Sequence, residues 1–139
     1  MSCIAEDATL EALDFPLLVH VLAGWAQTSM GREQLEKTEP MADLHKIEER
    51  QLEVSELRAF MESGTDLSLA AACPLKEVLR MAWIAGTVLN SDDMMAVYRM
   101  AKVGQNVRRE LAGLDELPRL SAVREAIPEL GSLIEQIEK

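Results

Sequence analysis

The chain has 139 residues and a formal charge of −10 at pH 7, because 24 acidic side chains outnumber 14 basic ones. An acidic surface repels phosphate, which argues against tight binding of duplex DNA by this segment alone but allows a local contact within a larger assembly. Apolar residues make up 48% of the chain and aromatic residues 4%, a composition that favours helices packed on helices over a β-sandwich.

The cysteines and the N-terminus indicate a cytoplasmic protein. The first residues include Glu6 and Asp7 and lack the basic region of a secretory signal, and no apolar run approaches the length of a membrane span. Cys3 and Cys73 are the only cysteines, and without a secretory signal both are expected to be reduced thiols.

The first helices are predicted from their capping residues. Thr9 is expected to cap a single turn over residues 10–13. Asp14 is expected to cap a helix over residues 15–26, because Pro16 then falls in the first turn, where a missing N–H costs nothing.

Two further helices follow. Thr28 or Ser29 would cap a helix that ends near Lys37. The longest regular segment covers residues 41–63, where charged residues surround one narrow apolar seam. The seam consists of Leu44, Ile47, Val54, Leu57 and Met61.

The middle of the chain predicts a loop and a short helix. Residues 65–73 are small and apolar, and we expect Leu67 and Leu69 to pack onto the core from a loop. A helix over residues 74–85 would then begin with proline at its first position and end at Gly86 in the C′ position.

A second long helix is predicted from Asn90 or Ser91, either of which can act as N-cap, to about residue 112. Asp92 and Asp93 suit its positive N-terminal end. The apolar stripe of this helix has a period near 3.5 residues. It consists of Val97, Met100, Gly104, Val107 and Leu111.

The last part of the sequence predicts a short helix over residues 119–126 and an amphipathic segment over residues 129–139. The second pattern stops without a helix-ending residue, so we expect a longer chain that continues past Lys139. The fold class is therefore expected to be all-α, a single domain of about six helices in a bundle-like or orthogonal array, two of them long. It would cover residues 1–139, with residues 1–8 flexible.

Residues that carry chemistry are sparse. The seven glycines never give the spacing of a phosphate-binding loop. His45 could share a metal ion with Glu48 or Glu49, but a solvated histidine is the more common reading, and His20 is expected at a boundary. Cys73 is better explained as a small buried residue than as a nucleophile. We therefore predict no catalytic, cofactor-binding or metal-binding residue, and no enzyme activity for this segment.

One basic cluster interrupts the acidity. Arg99, Lys102 and Arg109 lie at about 0°, 300° and 280° around the second long helix, with Asn106 between them, whereas Arg108 points elsewhere. This face could contact DNA phosphates or an acidic partner. The alternative is an ordinary solvated helix face.

The order of several short motifs resembles the N-terminal part of one family, the type-two branch of the MutS ATPases. The motifs are Thr9-Leu-Glu-Ala-Leu-Asp-Phe-Pro, Leu22-Ala-Gly-Trp-Ala-Gln-Thr-Ser-Met-Gly-Arg32, Gly64-Thr-Asp-Leu-Ser-Leu and Gly86-Thr-Val-Leu-Asn-Ser-Asp-Asp. The resemblance extends from about residue 9 to residue 133. The chain departs from the family pattern at Met41-Ala42, Cys73-Pro74-Leu75 and Met94-Met95.

The resemblance implies the function. Full-length members of that family begin with a helical core and lever, followed by a clamp, a dimeric ATPase that uses ATP and Mg, and often an Smr nuclease domain. They bind branched DNA, restrain recombination, and in some bacteria act on stalled ribosomes. This chain would be the non-catalytic core and lever segment, which couples the ATPase dimer to the DNA-binding clamp.

A second interpretation of the function does not depend on the resemblance to this family. The chain could be a standalone helical module that binds another protein through an exposed apolar seam. A reading frame that continues past Lys139 into a nucleotide-binding loop would favour the first interpretation over this one.

Overall fold

The computed structural model describes residues 6–139, and it divides into two compact units, Met1–Val54 and Ser55–Lys139. All regular secondary structure in the described residues is helical, so the predicted all-α class is confirmed. The number of helices is somewhat higher than predicted. They are α1 (Asp7–Ala12), α2 (Phe15–Gly24), α3 (Ser29–Glu36), α4 (Leu44–Glu62), α5 (Lys76–Ala82), α6 (Ser91–Glu110), α7 (Pro118–Ala126) and α8 (Gly131–Ile137).

The start of the first unit differs from the sequence prediction in its caps. Thr9 lies inside α1, and Glu6 holds the N-cap position, so the predicted cap is wrong. Asp14 does precede α2, but it adopts a left-handed backbone with φ 54° and its side chain makes no capping hydrogen bond. Aspartate tolerates this conformation better than most residues, which explains its place in the tight connection between the two helices. The residues before Glu6, including Cys3 and most of the predicted flexible segment, lie outside the described part.

The connection from α2 to α3 follows the prediction more closely. The Oγ1 of Thr28 accepts a hydrogen bond from the N–H of Gly31 at 2.9 Å, which satisfies one of the unpaired donors at the start of α3. Helix α2 packs against α3 and buries Ala23. A Cβ added at Gly31 would lie 3.1 Å from the Thr28 hydroxyl, so the small residue keeps room for the cap.

Helix α4 is where the predicted packing fails. Leu44, Val54 and Met61 were expected in a buried seam, but each is more than half exposed. The residue that α4 buries is Phe60, which is 2% exposed and lay outside the predicted stripe. An aromatic side chain brings more apolar area to a core than the smaller residues around it, and it decides which face turns inward.

The second unit has one buried cluster, built where α6 meets the end of α4 and the start of α7. Its members are Phe60, Val103, Val107, Leu111 and Leu120. The loop before α5 packs against this cluster through Leu67 and Leu69, as the sequence predicted. Of the stripe predicted for α6, Val107 and Leu111 are buried, and Val97, Met100 and Gly104 are partly buried.

Helix α5 is shorter than predicted. It begins at Lys76 with Leu75 as N-cap, so the proline at position 74 precedes the helix and does not form its first turn. Gly86 is not the C′ residue, because the helix already ends at Ala82. Gly86 has φ 83° in a separate turn that the N–H of Thr87 closes onto the oxygen of Ile84 at 3.1 Å.

Helix α6 begins with a reciprocal cap. The Asn90 side chain accepts from the N–H of Asp93 at 2.9 Å, and the Asp93 carboxylate accepts from the N–H of Asn90 at 3.3 Å. This arrangement satisfies two backbone donors and places negative charge at the positive end of the helix. The predicted N-cap is therefore confirmed, and the 20 residues of α6 span roughly 30 Å.

Candidate interaction surface on helix α6

The three residues predicted as nucleic-acid or partner contacts all lie on α6. Arg99 and Arg109 are exposed, and Lys102 is half-buried. Ten residues separate the two arginines, which places them roughly 15 Å apart along the helix axis. They are therefore not one compact cationic site, and any partner would have to extend along the helix.

Lys102 lies in a cluster with Tyr98 and the C-terminal end of α8. The Tyr98 hydroxyl donates to Glu138 Oε1 at 2.8 Å, and Lys102 Nζ lies 3.1 Å from the same oxygen. The ammonium is also 5.3 Å from the centre of the Tyr98 ring, within the range of a cation–π contact. The cluster joins the middle of α6 to residues 40 positions further along the chain.

These contacts shift both titrating groups toward their charged forms. The hydrogen bond to Glu138 raises the pKa of Lys102 above its ordinary value. The hydrogen bond from Tyr98, followed by that from Lys102, lowers the pKa of Glu138. Because these side chains are solvated, we assign them a structural role and no strong effect on stability.

Arg109 lines an open groove of about 560 Å³ between α6 and the start of α8. Its Nη2 donates to the side-chain oxygen of Asn106 at 3.1 Å. The groove is lined by Gln105, Arg108, Arg109, Glu129, Gly131 and Ser132. Donors from the amide, hydroxyl and guanidinium groups could bind an anion there, although Glu129 opposes this.

Arg108 has contacts in this region that the sequence does not predict. It was expected to point away from the basic face, but it lines the same groove as Arg109. Its Nη1 donates to backbone oxygens at the end of α7, and its Nη2 lies 3.5 Å from Glu129 Oε1. Helical periodicity places Arg108 on a different side of α6 from Arg109, but it does not reveal the partner of Arg108, because that partner is the end of α7, 16 to 19 residues further on.

Other residues considered for chemistry have ordinary surroundings. His45 Nε2 lies 3.6 Å from Glu49 on the exposed surface of α4. The Cys73 thiol is half-buried and donates to the oxygen of Ala96 at 3.6 Å, three residues before α5 starts. Among residues 6–139, no three His, Cys, Asp or Glu side chains come together as a possible metal site. None of the described helices is both long and apolar enough to span a membrane.

Comparison with known proteins gives one consistent result. The chain is 31% identical over 118 residues to endonuclease MutS2 of Symbiobacterium thermophilum, a match that covers 85% of this chain and 15% of that protein. Endonuclease MutS2 of Aquifex aeolicus is 24% identical over 125 residues, or 90% of this chain and 16% of that protein. Endonuclease MutS2 of Acetivibrio thermocellus is 26% identical over 103 residues.

The chain is related to a segment of MutS2 proteins. It spans only about one sixth or less of the length of these relatives, so the similarity concerns a part of each and not the whole. No family model matches the chain, and no solved structure matches it. The resemblance inferred from the sequence motifs thus has independent support at the level of MutS2.

Proposed function

We propose that this chain acts as a non-catalytic helical segment of a MutS2-like protein and couples the ATPase part of that protein to its DNA-binding part. The observation that carries the proposal is the match to three MutS2 proteins over 74% to 90% of this chain. The ATP, the Mg, the branched DNA or ribosome, and the dimeric state belong to the proposed longer protein.

The helices of the second unit suit a coupling role. Helix α6 is joined to α7 and α8 by its own side chains, with Arg108 bound to the end of α7 near one end and Tyr98 bound to Glu138 nearer the other. A long helix fixed at several points moves as one rigid element, so displacement at one end is transmitted to the other. Arg99 and Arg109 are exposed on this element, whereas Lys102 is half-buried and pairs with Glu138.

A chimera tests the proposal directly. The segment of Symbiobacterium thermophilum MutS2 that matches this chain is replaced by residues 9–133, and ATP hydrolysis is measured with and without branched DNA. We expect the chimera to keep the response of hydrolysis to DNA. A matched deletion of the same segment should keep hydrolysis but lose the response to DNA.

Two results would contradict the proposal. If the deletion leaves the DNA response intact, the segment does not couple the two activities. If the chimera folds and hydrolyses ATP but no longer responds to DNA, whereas the chain alone binds a protein partner, the reading as a standalone interaction module is favoured. Sequencing the native gene past the codon for Lys139 supplies a second test, because the reading frame should continue into a nucleotide-binding loop.

A further inference from the structure

Helix α2 is apolar on nearly every side, and within residues 6–139 its contacts with α1 and α3 leave one side exposed. Its residues other than Pro16, His20 and Gly24 are all large or small apolar side chains. Phe15 and Val19 are partly buried and Ala23 is fully buried, on the side that packs against α3. A helix that is apolar all round is normally enclosed on all sides, so the second side of α2 requires a partner.

The uncovered side is one continuous face. Five large side chains project within about 140° of each other around the helix axis. They are Leu17, Leu18, Val21, Leu22 and Trp25, which are 37% to 77% exposed, and we call them the α2 exposed face. Their spacing provides the anchor positions into which the apolar stripe of a second helix packs.

The stretch of chain that leads into this face and carries it is acidic, and we call its carboxylates, in α1 and beside it, the acidic rim. From Glu6 to Gly31 the chain contains four carboxylates and no lysine or arginine. The carboxylates are Glu6, Asp7, Glu11 and Asp14, all exposed and all in α1 or its flanks. The first unit as a whole has 4 basic and 11 acidic residues, a charge of −7, against −3 for residues 55–139.

We propose that the α2 exposed face binds an amphipathic helix of a partner protein, with an apolar stripe flanked by Lys and Arg. Charge complementarity selects this occupant. A second copy of this chain would bring another acidic rim against the first, and anionic lipid would be repelled in the same way. The proposal concerns the α2 exposed face and the acidic rim, and it holds whether or not the chain works within a MutS2-like protein.

The test uses Trp25 as its reporter. The chain contains two tryptophans, and Trp83 is 89% exposed, so Trp83→Phe leaves Trp25 as the only indole at little structural cost. Two helical peptides are titrated, each with Leu at i, i+3, i+4 and i+7. One carries Lys at all flanking positions and the other carries Glu. We expect the Lys peptide alone to shift the Trp25 emission to shorter wavelength, and rising salt to weaken its binding.

Matched variants locate the binding site. Val21→Glu, on the α2 exposed face, should weaken binding of the Lys peptide at least about tenfold, whereas Leu44→Glu, at an apolar and even more exposed position on α4, should not. If Val21→Glu unfolds the chain, the double variant Glu11→Lys/Asp14→Asn still tests the acidic rim. It should weaken binding several-fold, and Glu48→Lys on α4 is its control.

Several outcomes would overturn the proposal. The two peptides could bind equally, which would indicate unspecific apolar contact, or neither could bind. The Trp25 emission could shift with protein concentration in the absence of peptide, which would identify a second copy as the occupant. Vesicles that contain phosphatidylserine could produce the shift, which would identify a membrane surface. Equal losses in Val21→Glu and Leu44→Glu would place the binding elsewhere.

Discussion

The guanidinium of Arg108 holds the C-terminal end of α7 to α6. Its Nη1 donates to the backbone oxygens of Arg124, at 3.0 Å, and Ile127, at 2.7 Å. The last carbonyls of a helix have no partner within the helix, and the C-terminal end carries partial negative charge. One side chain therefore binds two backbone oxygens, of which that of Arg124 also accepts from the N–H of Ile127, and it places a positive charge where the helix dipole favours it.

Replacing this residue should cost more stability than replacing its neighbour. We expect Arg108→Ala to lower the free energy of unfolding by about 2 kcal/mol, because two charge-assisted hydrogen bonds are lost. Arg109→Ala should change it by about 0.5 kcal/mol or less, because that side chain is exposed and its hydrogen bond goes to Asn106 on the same helix. Urea unfolding followed by circular dichroism measures both. Similar losses in the two variants would show that Arg108 does not cap α7.

The N-terminal end of α7 is capped from a distant helix. Glu56 Oε2 on α4 accepts hydrogen bonds from the N–H of Arg119 at 2.9 Å and of Leu120 at 3.2 Å. The residue in the N-cap position, Leu117, has no side-chain oxygen to do this. Glu56→Ala should lower the free energy of unfolding by about 1 to 2 kcal/mol, the range found for lost N-caps.

A second glutamate of α4 provides the control for Glu56. Glu62 forms an exposed ion pair with Arg58 at 3.2 Å, and pairs of this kind contribute little. We expect Glu62→Ala to change the urea midpoint far less than Glu56→Ala, and Glu56→Gln, which keeps an acceptor oxygen, to recover part of the loss. Equal effects of Glu56→Ala and Glu62→Ala would mean that the contact with α7 does not stabilise the fold.

Phe60 and Met61 are neighbours with opposite surroundings. Phe60 is 2% exposed within the buried cluster of the second unit, whereas Met61 is 51% exposed. Phe60→Ala should lower the free energy of unfolding by about 3 to 5 kcal/mol through lost burial and the cavity left behind. Met61→Ala should cost about 0.5 kcal/mol or less. Thermal unfolding measures both variants. A larger loss of stability in Met61→Ala than in Phe60→Ala would indicate that Met61 faces the core, as the sequence predicted.

These contacts show which features depend on nearby residues and which do not. The caps at Thr28 and Asn90 follow from residues three positions away, so the sequence predicts them. The packing of the loop residues Leu67 and Leu69 is also predicted, because burial of leucine side chains is favourable. The inward side of α4 depends on Phe60 meeting partners more than 40 residues away, and apolar spacing within the helix cannot reveal it.

The candidate interaction surface also has features that the sequence predicts and features that depend on distant residues. Helical periodicity places Arg99, Lys102 and Arg109 on one helix, but the pairing of Lys102 depends on Glu138, in the C-cap position of α8. The role of Arg108 likewise depends on where α7 ends. Spacing along one helix thus predicts a shared face, whereas the partners that neutralise or anchor each cation come from distant parts of the chain.

The pKa of Glu138 provides the last prediction. Tyr98 and then Lys102 lower it in the folded chain, so the stability gained from this carboxylate is present above its unfolded pKa and is lost as pH falls through the folded pKa. Lys102 has the opposite sign, because its raised pKa gives stability that is lost only as pH rises through the folded value. Both contributions are therefore present at neutral pH. Titration of the Glu138 carboxyl by NMR should show a higher pKa in Tyr98→Phe, a smaller rise in Lys102→Met, and none in Arg109→Ala. An unchanged pKa in Tyr98→Phe would show that the hydroxyl does not donate to Glu138 in solution.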